Sequence, residues 1–253
     1  MNARGAEIFA RFAAEPNRLG YCGPAGTTAL RDGSPAEIRA VARTFTGAWP
    51  YLRVMSRMTG IGDPLDERLV ESYWLGGGIG SRLDRAGFVA GLLAVIGPAA
   101  GHYWNHLTDG ALADEAAPNH CFHVFGIYPW TRLLGRGGDQ PLRVLDNCRI
   151  SWGTVRARAD DHLVVDSPRL EFDGRRLRLA APETRRIPVG IDDFPALSEA
   201  APGERVALHW DRICGRLTPV RAYMLAATTE WQLRATNRRL MRSPAPAPLL
   251  PPA

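Results

Sequence analysis

The chain has 253 residues, 45% of them hydrophobic and 23% charged, and a formal net charge of +5. That is enough chain to bury a core as one large or two small domains. The composition excludes collagen-like, mainly disordered and disulfide-scaffold proteins. All 31 basic residues are arginine, which excludes a lysine Schiff base, a P-loop lysine and a lysine general base within this chain.

No stretch reaches the roughly 18 consecutive apolar residues of a membrane span. The longest apolar run, residues 88–100, is cut by Gly91, Gly97 and Pro98. The N-terminus carries Glu7 and lacks the long apolar region of a secretory signal. Four cysteines without an export signal point to reduced thiols and a cytoplasmic protein. The arginines are dispersed among acids, apart from residues 175–178, 185–186 and 238–242. No basic stripe with interleaved aromatics appears, which argues against nucleic acid.

The first part reads as helical. Ser34-Pro35-Ala36-Glu37 has the form of a capping box with proline at the first helical position, and Ile38, Val41, Ala42 and Phe45 follow at helical spacing. Asp63-Pro64-Leu65-Asp66 starts a second helix through Leu69, Val70, Tyr73 and Trp74, which Gly76-Gly77-Gly78 stops. Leu83, Phe88, Leu92, Val95 and Ile96 predict a third, and residues 98–107 a fourth. A loop over 108–118 leads to an expected strand over 121–128, ended by Pro129, and then a glycine-rich linker over 133–141.

After Leu142 the pattern turns to β. Short runs at 148–155, 162–165, 169–172, 176–179, 185–189 and 205–210 lie between turn signals, among them the hairpin signal Asp173-Gly174. This predicts an α+β protein: a helical N-terminal part, then a small antiparallel β-barrel with a long C-terminal helix over 219–240. The expected divisions are a helical domain (1–117), a strand and linker (118–141), a barrel with its helix (142–242) and a disordered tail (243–253).

The residues able to hold a soft metal are Cys22, Cys121, Cys148, Cys214, His102, His106, His120, His123, His162 and His209. There is no CxxC pair, GxSxG, HExxH, GxxxxGK[ST] or GxGxxG, so no zinc-ribbon, hydrolase, zincin or nucleotide motif is present. In His120-Cys121-x-His123, a strand would place Cys121 and His123 on one face and His120 on the other. The alternative to ligation there is a buried strand with a satisfied histidine. His102 and His106, four apart, would share a helix face. Cys22 sits in the tight turn Gly20-Tyr21-Cys22-Gly23-Pro24, open either to a reactive or to an inert buried role. Arg149 beside Cys148 would favour the thiolate. Cys214 follows the last expected strand, and His209 lies within it.

The second half resembles the small HypC/HupF-type chaperones that mature [NiFe] hydrogenases. The resemblance rests on four features in order. They are the Cys148-Arg149-Ile150-Ser151-Trp152-Gly153-Thr154-Val155 segment, short β-runs ending in an arginine-bearing strand over 185–189, the segment Pro202-Gly203-Glu204-Arg205-Val206-Ala207-Leu208-His209, and the alanine- and leucine-rich helix from Pro219. It implies a small β-barrel with a C-terminal helix. It also implies iron, carrying cyanide and carbon monoxide, held by Cys148 with His209 as the matching histidine, and handed to a hydrogenase large subunit or another maturation protein. The whole chain is also similar to an uncharacterised family of GC-rich bacteria. That similarity rests on the Gly20–Pro24 turn, Gly47-Ala48-Trp49-Pro50-Tyr51-Leu52, Asp63-Pro64-Leu65-Asp66, Phe122-His123-Val124-Phe125 with Tyr128-Pro129-Trp130, and His209-Trp210-Asp211.

Three functions follow. The first is an iron-binding accessory protein using Cys148 and His209, with Cys22 or Cys214 closing the site. The second is a metalloenzyme or redox enzyme with a site between the halves. Its candidate ligands are Cys22, His123, Cys148, His209 and Cys214, with Tyr21 or Asp211 supplying an acid or supporting group. The third is a metal-free interaction protein whose contact segments are the 238–242 arginines and the proline-rich tail.

Overall fold

Local capping sets the helical part. The computed structural model describes residues 3–100, 113–136, 138–189, 194 and 199–242. Helix α1 (Ala3–Arg18) leads to the short α2 (Ala29–Asp32). Ser34 and Glu37 close the expected capping box on α3 (Pro35–Ala42), with Pro35 in its first turn. Gly60, at φ 73°, ends α4 (Ala48–Thr59) in the left-handed conformation. Asp66 caps α5 (Glu67–Leu75), which stops at Gly76 as the sequence requires. Helix α6 spans Arg85–Ala100. The remainder of the helix expected over 98–107, His102 and His106, residues 108–112 of the expected loop, and the tail from 243 lie outside the described residues.

The strand expected over 121–128 is a correction. Asn119 Oδ1 accepts from the Phe122 amide at 2.9 Å and caps a helical turn, α7 (His120–Phe122). The chain continues as a π-helical turn over His123–Ile127, closed by the Tyr128 amide on the His123 carbonyl. A run of aromatic and branched residues reads as a strand, but an asparagine cap overrides it locally. The described residues of the expected linker over 133–141 form turns as far as Asp139, between two short helical elements. Pro129–Arg132 forms a 3-10 turn, and α8 (Gln140–Cys148) follows. Cys148 therefore ends a helix rather than opening a strand.

The sheet contains β1 (Ser151–Arg158), β2 (His162–Phe172), β3 (Leu177–Pro188), β4 (Arg205–His209) and β5 (Arg212–Leu217). Its order is β3-β2-β1-β4-β5, antiparallel throughout. It is an open sheet with β3 and β5 as its edges, not the expected barrel. Four of the expected short runs merge into one long hairpin, β2–β3. Pro168 and Pro182 face each other across it, and a shift in register beside them lets pairing continue past residues that read as turns. The hairpin turn itself is as expected, with Gly174 at φ 90° and Asp173 accepting from the Arg175 and Arg176 amides.

Helix α9 (Pro219–Arg242) packs against α5, α7 and the sheet. Arg239, within the arginine run read as a contact segment, pairs with the buried Glu115, and its Nη2 donates to the Phe125 carbonyl at 2.7 Å. One buried cluster joins Phe9, Phe12, Tyr51, Tyr73 and Trp74 of the helices to Ile150, Ala207, Cys214 and Leu225. Among the described residues no helix is long and apolar enough to cross a membrane.

Candidate metal centre

Three segments far apart in sequence meet at one buried point. His120 opens α7, Cys148 ends α8 and His209 ends β4. One potential ligand atom from each lies within 4.8 Å of the other two. The imidazole rings of His120 and His209 are 5.2 Å apart between centroids, and Trp74 packs against both.

The turn after β4 places His209. Trp210 and Asp211, at φ 52° and 58°, are the two central residues of the β4–β5 hairpin, both in the left-handed region that glycine usually occupies. Outside contacts hold them there. Trp210 stacks on Tyr21 at 3.9 Å, and its amide donates to the Asn147 carbonyl at 3.0 Å. Asp211 forms an ion pair with Arg185. Both residues proposed as an acid are thus engaged structurally, Asp211 in an ion pair and Tyr21 in a stack.

Hydrogen bonds select the imidazole tautomers. His209 Nδ1 lies 2.7 Å from the Phe12 carbonyl, so it carries the proton and leaves a lone pair on Nε2. That Nε2 is buried without a hydrogen-bond partner among the described residues. His120 Nε2 donates to the Cys148 carbonyl at 2.8 Å, which leaves the lone pair on Nδ1, 3.2 Å from the Tyr73 hydroxyl.

Burial sets the protonation states. It lowers His209 to about 4, against the opposing effect of the Phe12 and Cys148 carbonyls. Burial, then His209 and His123, pushes His120 well below the usual imidazole range. Burial also pushes the Cys148 thiol up to about 12, despite a lowering by the Trp210 side chain. The expected help from Arg149 is absent, because Arg149 turns away into a buried ion pair with Asp146 at 2.8 Å. At neutral pH the two histidines are in the neutral form a metal needs, and the thiol requires the metal itself to deprotonate it.

Cys148 and His209 come together, joined by His120, which a strand reading had placed on the opposite face. With helical rather than strand period, His120 and His123 share a side, and their rings stack at 6.0 Å. The Asn119 cap was the signal that could have revealed this. His123 is buried beside the centre, its Nδ1 without a partner among the described residues, but it is not in the three-residue set. Cys22 is half-buried; burial, and then the nearby Cys148, push its thiol up. Cys214 is buried on β5, its Sγ 3.5 Å from the Arg212 carbonyl, and Cys121 lies in a separate apolar cluster. None of the four cysteines is in a disulfide.

Ligand spacing decides how far the set must move. Metal–ligand bonds of about 2.0–2.3 Å place tetrahedral ligand atoms about 3.3–3.8 Å apart. A contraction of about one ångström closes the set, within reach of side-chain torsions.

No curated protein and no solved structure shows significant similarity to the chain, so the resemblance of the second half to the HypC/HupF-type chaperones gains no support from them. A family model does match, over residues 1–243. The chain belongs to this family, described as a family of unknown function (DUF6390).

Proposed function

We propose that the protein binds a transition-metal ion of the zinc, iron or copper class through His120, Cys148 and His209. The observation that carries this reading is the convergence of two imidazoles and a thiol within 4.8 Å, one imidazole having a buried nitrogen with no other partner among the described residues. An unpaired buried acceptor costs about 1–3 kcal/mol, and a metal bond removes that cost. Two imidazoles and one thiolate suit these borderline and soft metals rather than magnesium or calcium. Cys22 or water would complete the coordination. The thiol lies in the interior, which favours a resident ion over cargo passed between proteins.

The test is titration of chelator-stripped full-length protein with zinc and with cobalt(II), beside Cys148→Ser, His209→Ala and the control Cys214→Ser. We expect about one ion per chain in wild type and in Cys214→Ser, a thiolate-to-cobalt absorption band, and loss of both in Cys148→Ser. No ion in wild type, or undiminished binding in both ligand variants, overturns the proposal. Infrared spectroscopy on anaerobically purified protein tests the cargo alternative, since iron carrying cyanide and carbon monoxide gives bands that a resident ion lacks.

A further inference from the structure

Beside the metal centre, on the far side of His123, lies a cavity of about 580 Å³. That is within the range of small-molecule sites, roughly 300–1,000 Å³. Phe45, Trp49 and Ile127 supply apolar wall. Tyr51 and His123 also line it, and each has a buried polar atom with no hydrogen-bond partner among the described residues, the Tyr51 hydroxyl and His123 Nδ1. Their rings meet edge to face at 5.5 Å. Gly47 keeps the approach to His123 clear, because a Cβ there would stand 2.9 Å from Nε2. At the rim Arg43 is exposed and forms no ion pair among the described residues.

Apolar walls select an apolar body. The edge of His123 that Gly47 leaves clear, at Nε2, calls for a polar atom on the ligand. A guanidinium at the mouth matches a carboxylate in shape and charge. We propose that this cavity binds a small carboxylic acid with an apolar body, its carboxylate at Arg43 and a further polar atom at His123. The site stands apart from the metal reading, because none of these residues belongs to the three-ligand set.

The test uses chelator-stripped protein, so its outcome is independent of metal binding. 3-(4-Hydroxyphenyl)propanoate and its amide are titrated calorimetrically into wild type, Arg43→Gln and Val95→Trp, the last filling the cavity from α6. The acid is expected to bind wild type about tenfold or more tightly than the amide, as loss of a charge-assisted contact implies. Arg43→Gln, on the surface, should keep its fold and bind the two alike, at the amide's affinity. Val95→Trp should bind neither while unfolding cooperatively. Equal affinities in wild type, no binding of either probe at millimolar concentration, or acid binding undiminished in Arg43→Gln overturns the proposal.

Discussion

The carbonyl oxygen of Phe12 lies 2.7 Å from Nδ1 of His209, a contact across 197 residues of sequence. It ties the first helix to the end of β4 and fixes which nitrogen of His209 is available. A ligand whose other ring nitrogen is held by a backbone carbonyl is oriented before any ion arrives. On the proposed reading, metal binding would be coupled to folding, with measurable consequences.

An ion that binds the folded state alone raises stability by mass action. At a free concentration one hundred times its Kd the gain is about 2.7 kcal/mol. Scanning calorimetry with and without zinc should show this as a higher Tm in wild type and no change in Cys148→Ser. Equal rises in both proteins would mean that zinc acts elsewhere.

Acid should destabilise the metal-free protein well above the carboxylate range. His209 and His123 are both held at about 4 by burial, against an ordinary value of 6.5. Below pH 6.5 the unfolded chain takes up a proton at each, and the folded chain does not until about pH 4. The stability is thus complete above 6.5 and lost as pH falls toward 4, by about 3 kcal/mol for each histidine. His120 acts in the same direction. Urea midpoints at pH 7.5, 6 and 5 measure the loss, and a midpoint unchanged over that range would refute it.

The ion pair behind Cys148 is structural. Asp146 Oδ1 accepts from Arg149 Nε at 3.0 Å, Arg149 Nη2 at 2.8 Å and the Leu170 amide at 2.9 Å. The Arg149 side chain is 1% exposed. Asp146→Ala strands that charge and should cost about 3–5 kcal/mol. Denaturant unfolding checks this, and a loss below about 1 kcal/mol would show that Arg149 escapes to solvent.

Gly5 marks where α1 crosses the start of α5. A Cβ at this position would collide with the Leu65 carbonyl. Gly5→Ala should cost about 1–3 kcal/mol through overpacking, although alanine favours helices. A neutral or stabilising result in thermal unfolding would show that α1 shifts freely.

Part of this architecture is legible locally. The Ser34–Glu37 box, the glycines after α5, the Asp173-Gly174 turn and the proline start of α9 each work within a few residues. Adjacent backbone geometry decides them, and tertiary contacts left them in place. Cys148 and His209 could likewise be named as soft ligands from their chemistry. His120 could not be grouped with them, because its direction depends on period, and the aromatic run after it matches a strand as well as a helix.

The sequence by itself determined the mixed α+β class, the N-terminal helices, the absence of lysine chemistry and the stock of free thiols and imidazoles. Tertiary structure decided the rest. It left the sheet open, carried the β2–β3 hairpin past paired prolines, and brought His120, Cys148 and His209 to one point. Those outcomes depend on contacts between residues far apart in sequence: Phe12 with His209, Tyr21 with Trp210, Asp211 with Arg185. Such contacts leave no periodic trace along the chain, since each arises only when separate elements pack together.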